Sequence, residues 1–239
     1  MLKFEYNFFP ILGDNITIHL YMEGKNLPPF ISHNTISEIK GRELANETVI
    51  VSGHLDSWDV GQGAMDDGGG AFIAWNALVL LRQLNLRPRR TLRSILWTGE
   101  EEGLWGAQGY FKDHKNELKN VKLVMESDEG TFNPRGLSFS GNVEAQCIVR
   151  EVLKLMEPIN ATKFESPEDG GPDISLWTRV GVPGMSLIND NEKYFWFHHS
   201  NGDMMTVENP EALDRCLALW TAAAYVFADM SQPLPNNIS

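Results

Sequence analysis

Three apolar, β-branched-rich runs constrain this chain more than any other feature: "TVIVSGH" (48–54), "LRSILWTGEEEG" (92–103) and "VKLVMESDEG" (121–130). Each reads as a strand buried on both faces, and each runs directly into a loop dense in acid or histidine. Helical patterns over 70–84 and 104–116 separate them. Strands that alternate with helices pair in parallel, because the helix is the crossover, and its apolar stripe must cover the sheet. Further helices are expected over 143–157, 172–180 and 209–230, the last two announced by Pro172 and by Asn209-Pro210-Glu211. "GVPGMSLI" (181–188) reads as another buried strand. Alternating polarity marks strands over 15–24 and 34–41, with "GRELANE" (41–47) as a turn. The fold class is α/β, a mixed and largely parallel sheet sandwiched by helices. Ligands of such sheets bind beyond the carboxyl ends of the strands, where the acid-rich loops gather.

Those loops carry the chemistry. "GHLDSWDVGQGAMDDGGG" (53–70) holds one histidine and four aspartates among small residues. Taken singly, a histidine at a strand end is usually structural, and an aspartate beside glycine is usually a turn residue. Pooled at one sheet edge, His54, Asp66, Glu101, Asp128 and His199 form a set of two imidazoles and three carboxylates. That set suits zinc, with Mn²⁺ or Co²⁺ as substitutes. Five ligands exceed what one catalytic zinc takes and suit two ions sharing a bridging carboxylate. "GEEEG" (99–103) is the sharper signal. A charge run is ordinarily a solvated face, but this one follows a buried-type strand, where adjacent carboxylates repel unless cations compensate or one takes a proton. With metals present, one glutamate can ligate while its neighbour accepts a proton from water.

Composition narrows the classes. The 239 residues are 42% hydrophobic and carry a net charge of −12, ample for a core and unfavourable for nucleic acid or an anionic membrane surface. No run of eighteen apolar residues is present to span a bilayer. Cys147 and Cys216 have no CxxC partner and read as small buried hydrophobes in helices. The N-terminus "MLKFEYNFFPILGDN" is too short and interrupted for a signal peptide. Sequons at Asn15, Asn46, Asn160 and Asn237 point the other way, towards a secretory route.

Together with "LWTGEEEG", "LVMESDEG" and "YFWFHHSNGD", the 53–70 block resembles the signature blocks of the M28 family of co-catalytic zinc peptidases. The likeness runs from about residue 15, with the order and spacing of the blocks retained. It implies the zinc-dependent exopeptidase (phosphorylase/hydrolase-like) fold and two Zn²⁺ ions. His54 and Asp128 would ligate one, Glu101 and His199 the other, and Asp66 would bridge them through a segment whose Asp66–Asp67 peptide is cis. Asp56 would hold the His54 imidazole and Asp203 would orient His199. Glu100 would be the general base towards a metal-bridging water. In related carboxypeptidases a tyrosine stabilises the oxyanion immediately before the last ligand. His198 stands there in this chain, so its role is open between oxyanion stabilisation and packing. Asp173 lies where the family approaches substrate, or is simply an acid in a helix's first turn. The run Tyr194–Phe197 reads first as strand and core. The implied function is a di-zinc exopeptidase (dipeptidase or carboxypeptidase type) acting on small unblocked peptides. An aminopeptidase, or a catalytically silent binding domain, is the alternative. The resemblance further implies a secreted or lysosomal protein and admits a homodimer. It also implies one catalytic domain over 1–239 that lacks the family's N-terminal segment and inserted protease-associated-type domain.

Overall fold

The computed structural model describes residue 21 and residues 23–168 and 170–237. The chain divides into two units, Met1–Ile31 and Ser32–Ser239. The described residues of the first form no helix or strand, and the strand expected over 15–24 falls mostly outside the described residues.

The second unit carries the sheet. Its elements run β1 (Thr35–Ile39), β2 (Leu44–His54), α1 (Gly69–Gln83), β3 (Arg90–Trp97), α2 (Trp105–Asp113), β4 (Val121–Glu126), β5 (Pro134–Ser140), α3 (Val143–Leu153), β6 (Lys163–Glu165), α4 (Ser175–Thr178), β7 (Gly184–Asn189), α5 (Tyr194–Phe197) and α6 (Pro210–Asp229). The strand order is β1-β3-β2-β4-β7-β5-β6. β3, β2, β4 and β7 are mutually parallel, β1 runs antiparallel to β3, β5 runs antiparallel to β7, and β6 runs parallel to β5. The result is the mixed, largely parallel sheet expected from the sequence.

Successive side chains of a strand face opposite sides, which explains why the central strands are apolar throughout. Val49 and Val51 join Leu92, Leu123 and residues of α1, α3 and α6 in one core, whereas Ile50 joins Ile95, Val124 and the α2 and α4 residues Ala107 and Trp177 in the other. Each such fully buried aliphatic side chain contributes about 1.5–3 kcal/mol relative to exposure. α6 starts as its sequence announces: Pro210 occupies the first turn and the Asn209 side chain accepts the Ala212 N–H at 3.0 Å.

Several boundaries differ from the sequence reading. β2 begins at Leu44, inside the stretch expected to turn. The helix expected over 172–180 shrinks to one turn, Ser175–Thr178, because it is entered through bonds of i+3 spacing and stopped at Gly181, whose φ is +92°. Tyr194–Phe197 is a helical turn instead of a strand, and it buries only Tyr194; Phe195 and Trp196 are exposed. β5 and the three-residue β6 were not expected. β5 opens on a proline and contains Gly136, and proline and glycine both argue against a strand interior.

The register aligns the strand ends. His54 at the end of β2 pairs with Trp97 at the end of β3, and Ser52 pairs with Glu126 at the end of β4. Three acid-bearing loops therefore leave the sheet along one edge.

Candidate metal centre

His54 ends β2, and its ring lies almost wholly out of solvent. Its Nε2 sits 3.2 Å from Asp66 Oδ1 and 3.0 Å from Asp128 Oδ1, with Glu100 Oε2 at 3.9 Å. Burial lowers the affinity of this imidazole for a proton, but the hydrogen bonds to Asp128 and Asp66 and the charges of Asp67 and Asp128 outweigh it and raise the pKa. One nitrogen thus faces two carboxylates, an arrangement that a divalent cation satisfies as well as a proton does.

Asp66 lies in a tight turn, Ala64–Gly68, and its peptide bond to Asp67 is cis. Asp66 and Asp67 play different parts. Asp67 faces the backbone, accepting the N–H groups of His54 at 2.9 Å and Gly70 at 3.0 Å. The approach is so close that a Cβ on Gly53 would lie 2.5 Å from Asp67 Oδ2, which accounts for glycine at the penultimate position of β2. Asp66 instead faces outward from both oxygens. Oδ1 addresses His54, while Oδ2 lies 3.4 Å from His199 Nε2 and 3.5 Å from His198 Nε2. His199, held at a φ of +55°, also places Nε2 2.9 Å from Glu101 Oε2. Asp66 Oδ2 is buried and has no hydrogen-bond partner among the described residues.

All five expected ligands therefore meet in two groups that share Asp66: His54 with Asp128, and His199 with Glu101. Two triads, His54–Asp66–Asp128 and Asp66–His198–His199, each converge closely enough to share one ion. The fit to zinc rests on that donor set of imidazole nitrogen and carboxylate oxygen, and on the orphaned Asp66 Oδ2. Among the described residues, the ion pairs of Asp66, Glu100, Glu101 and Asp128 involve histidines only. Among the described residues, no lysine or arginine forms an ion pair with these acids.

The supporting acids sit differently from expectation. Asp56 reaches the His54 Nδ1 with its backbone carbonyl, at 2.9 Å, and its carboxylate lies 3.8 Å from the same nitrogen. Its carboxylate accepts the N–H groups of Glu100 and Glu101, each at 3.1 Å, and so fixes the loop after β3. Two backbone donors from adjacent residues bind a carboxylate more readily than one ring nitrogen already engaged. Asp203 likewise was expected on His199. Its oxygens instead accept Met65 N–H at 2.7 Å and Asp66 N–H at 3.2 Å, so it holds the bridging residue by the backbone. Asp173, its role open between bordering substrate space and sitting in a helix's first turn, has no exposed surface. It is fully buried against Glu126, where burial and the charge of Glu100 push its pKa up to about 8, and burial and Asp173 itself push that of Glu126 well above the usual range.

Two aromatic residues of the centre escaped the sequence reading. Trp58 packs on His199 with ring centroids 5.0 Å apart, and the Tyr194 hydroxyl donates to the Asp128 carbonyl at 3.1 Å. Their spacing from the ligands, four after His54 and five before His199, is the only trace in the sequence.

Burial first, then the charge of Asp128, raises Glu100 to about 7; burial and then Asp66 raise Glu101 to about 7. Both groups titrate near their ordinary 4.5 in the unfolded chain. Between those values the metal-free native state holds more protons than the unfolded one, so stability falls as pH rises from about 4.5 to about 7. His54 acts in the same sense, its raised pKa favouring the folded state below 6.5. The metal-free chain is therefore expected to melt at a lower temperature at pH 7.5 than at pH 5.5, and added zinc to remove most of the difference. Calorimetry with and without zinc checks this; a metal-free midpoint that rises with pH contradicts it.

Residues 34–224 match the model of peptidase family M28. Carboxypeptidase Q of Xenopus laevis is 55% identical over 94% of this chain and 48% of its own length, and that of Homo sapiens is 52% identical over the same shares. The chain thus spans about half the length of these relatives. Among solved structures, a Peptidase M28 precursor from Shewanella amazonensis superposes with a TM-score of 0.78 at 36% identity, covering 84% of this chain and 46% of that one. A zinc aminopeptidase from Bacillus subtilis shares the fold at a TM-score of 0.65 and 20% identity, covering 86% of this chain and 53% of that one.

Proposed function

Because this chain belongs to peptidase family M28, we propose that it is the catalytic part of a two-zinc exopeptidase that hydrolyses small unblocked peptides. The observation that carries the proposal is Asp66, whose two oxygens address two separate groups of ligands, His54 with Asp128 and His199 with Glu101. The relatives named carboxypeptidase Q favour the dipeptidase or carboxypeptidase form over an aminopeptidase. A silent binding domain has no use for the half-buried base that Glu100 provides.

In this reading His54, Asp128, Asp66, Glu101 and His199 hold two zinc ions. Zinc bound there polarises the scissile carbonyl and acidifies water to near neutral pH. Glu100 takes the proton of the attacking water on its carboxylate and passes it to the departing amine nitrogen. The Asp56 carboxylate keeps Glu100 and Glu101 in register by holding their N–H groups. His198 lies 3.5 Å from Asp66, and burial keeps its pKa below the ordinary imidazole value. Its neutral ring can donate one N–H to the tetrahedral oxyanion. A cleft of about 410 Å³ opens beside Asp128, bordered by Glu129, Gly171, Pro172 and Asn189, and offers room for a short peptide.

The sequons fit a secreted or lysosomal protein. Asn160 stands exposed on a left-handed turn and Asn46 is exposed on β2, whereas Asn15 lies outside the described residues.

Substrate blocking tests the proposal. Free dipeptides are expected to be cleaved and the reaction to stop on chelation. Cleavage of peptide amides but not of N-acetyl peptides would assign an aminopeptidase. Absence of all cleavage in zinc-loaded protein would sink the peptidase reading.

A further inference from the structure

Tyr194 opens α5, and only 3% of its surface is exposed, although its neighbours Phe195 and Trp196 point into solvent. A phenylalanine would fill the same space. A buried hydroxyl is costly unless it is used, so the oxygen calls for an account. It donates to the main-chain carbonyl of Asp128 at 3.1 Å. The ring lies 5.0 Å from that of His198, and the Tyr194 carbonyl accepts the His198 N–H at 3.0 Å. One residue therefore touches the loop of Asp128 and the turn that delivers His198 and His199.

We infer that Tyr194 is a positioning residue that sets the spacing of the two metal half-sites, its hydroxyl holding the Asp128 loop while its backbone anchors the His198–His199 turn. The inference rests on the two-zinc reading above. Groups that orient ligands in this way typically change metal affinity by about 10–100-fold when removed.

The test is Tyr194→Phe, which keeps the ring and deletes the oxygen. Zinc retention is measured by competition with a chromophoric chelator, the melting temperature is taken on metal-free protein, and visible absorption is recorded after loading with Co²⁺. The expected result is zinc retention about 10–100-fold weaker, an altered cobalt spectrum, and a metal-free melting temperature close to that of the unsubstituted chain. Unchanged retention and spectrum overturn the inference, whether or not melting drops, because the hydroxyl would then serve packing alone. Should the variant not fold, 3-fluorotyrosine placed at position 194 keeps the shape and makes the hydroxyl a stronger donor; retention that does not move with it overturns the inference equally. An unsubstituted chain that holds no zinc overturns the two-zinc reading and this inference together. Zinc held equally by both proteins overturns the inference alone.

Discussion

Replacing Glu100 by glutamine is expected to leave both metals bound and to slow hydrolysis of a free dipeptide by about two to four orders of magnitude, the usual worth of a positioned proton carrier. Glutamine has the size of glutamate, and its N–H can still donate to the Asp56 carboxylate, so the loop after β3 keeps its place. It cannot accept the water proton. Glu100 contributes no atom to either group of converging ligands, and zinc content should not change. Turnover measured beside metal analysis separates the two effects. Comparable loss of zinc and of activity would place Glu100 among the ligands and remove the base from the mechanism.

Asp66→Asn should have the opposite signature, losing metal before chemistry. Asparagine fits the turn, whose backbone is fixed by Asp203 accepting the N–H groups of residues 65 and 66. It brings one oxygen where two are used and no charge where both half-sites need one. Bound zinc is expected to fall from two per chain to one or none, with activity down by at least about a hundredfold, the upper end of losses seen when a metal's surroundings are disturbed. The metal-free variant should melt no lower than the unsubstituted chain at pH 7.5. Removing the Asp66 charge relieves the repulsion that helps to raise Glu101. Full zinc occupancy in this variant would show that Asp66 does not bridge.

The sequence displayed the centre more clearly than its supports, for physical reasons. His54, Asp66, Glu101 and Asp128 follow from strand ends: β-branched runs specify the buried strands, parallel pairing aligns their ends, and the acids just beyond must meet. His199 is reached through a helical turn that no period announces, because four residues cannot display one. The backbone partners of Asp56 and Asp203 were missed for a different reason. Both acids choose backbone N–H groups whose direction is set by the loops after β3 and before α1, and tertiary folding alone decides that direction. Tyr194 was hidden inside an aromatic run that reads as core throughout, yet its neighbours face solvent and only its hydroxyl enters the centre. β5 was concealed by its own Pro134 and Gly136, which its place beyond β7, away from the centre of the sheet, tolerates.

The central claim is that one carboxylate joins two zinc ions into a single catalytic centre. Zinc is titrated into the metal-free chain while hydrolysis of a free dipeptide is followed against equivalents added. Activity should rise to its maximum at two equivalents per chain and stay near zero in excess chelator. A maximum reached at one equivalent, or hydrolysis that persists in the chelated protein, would contradict it.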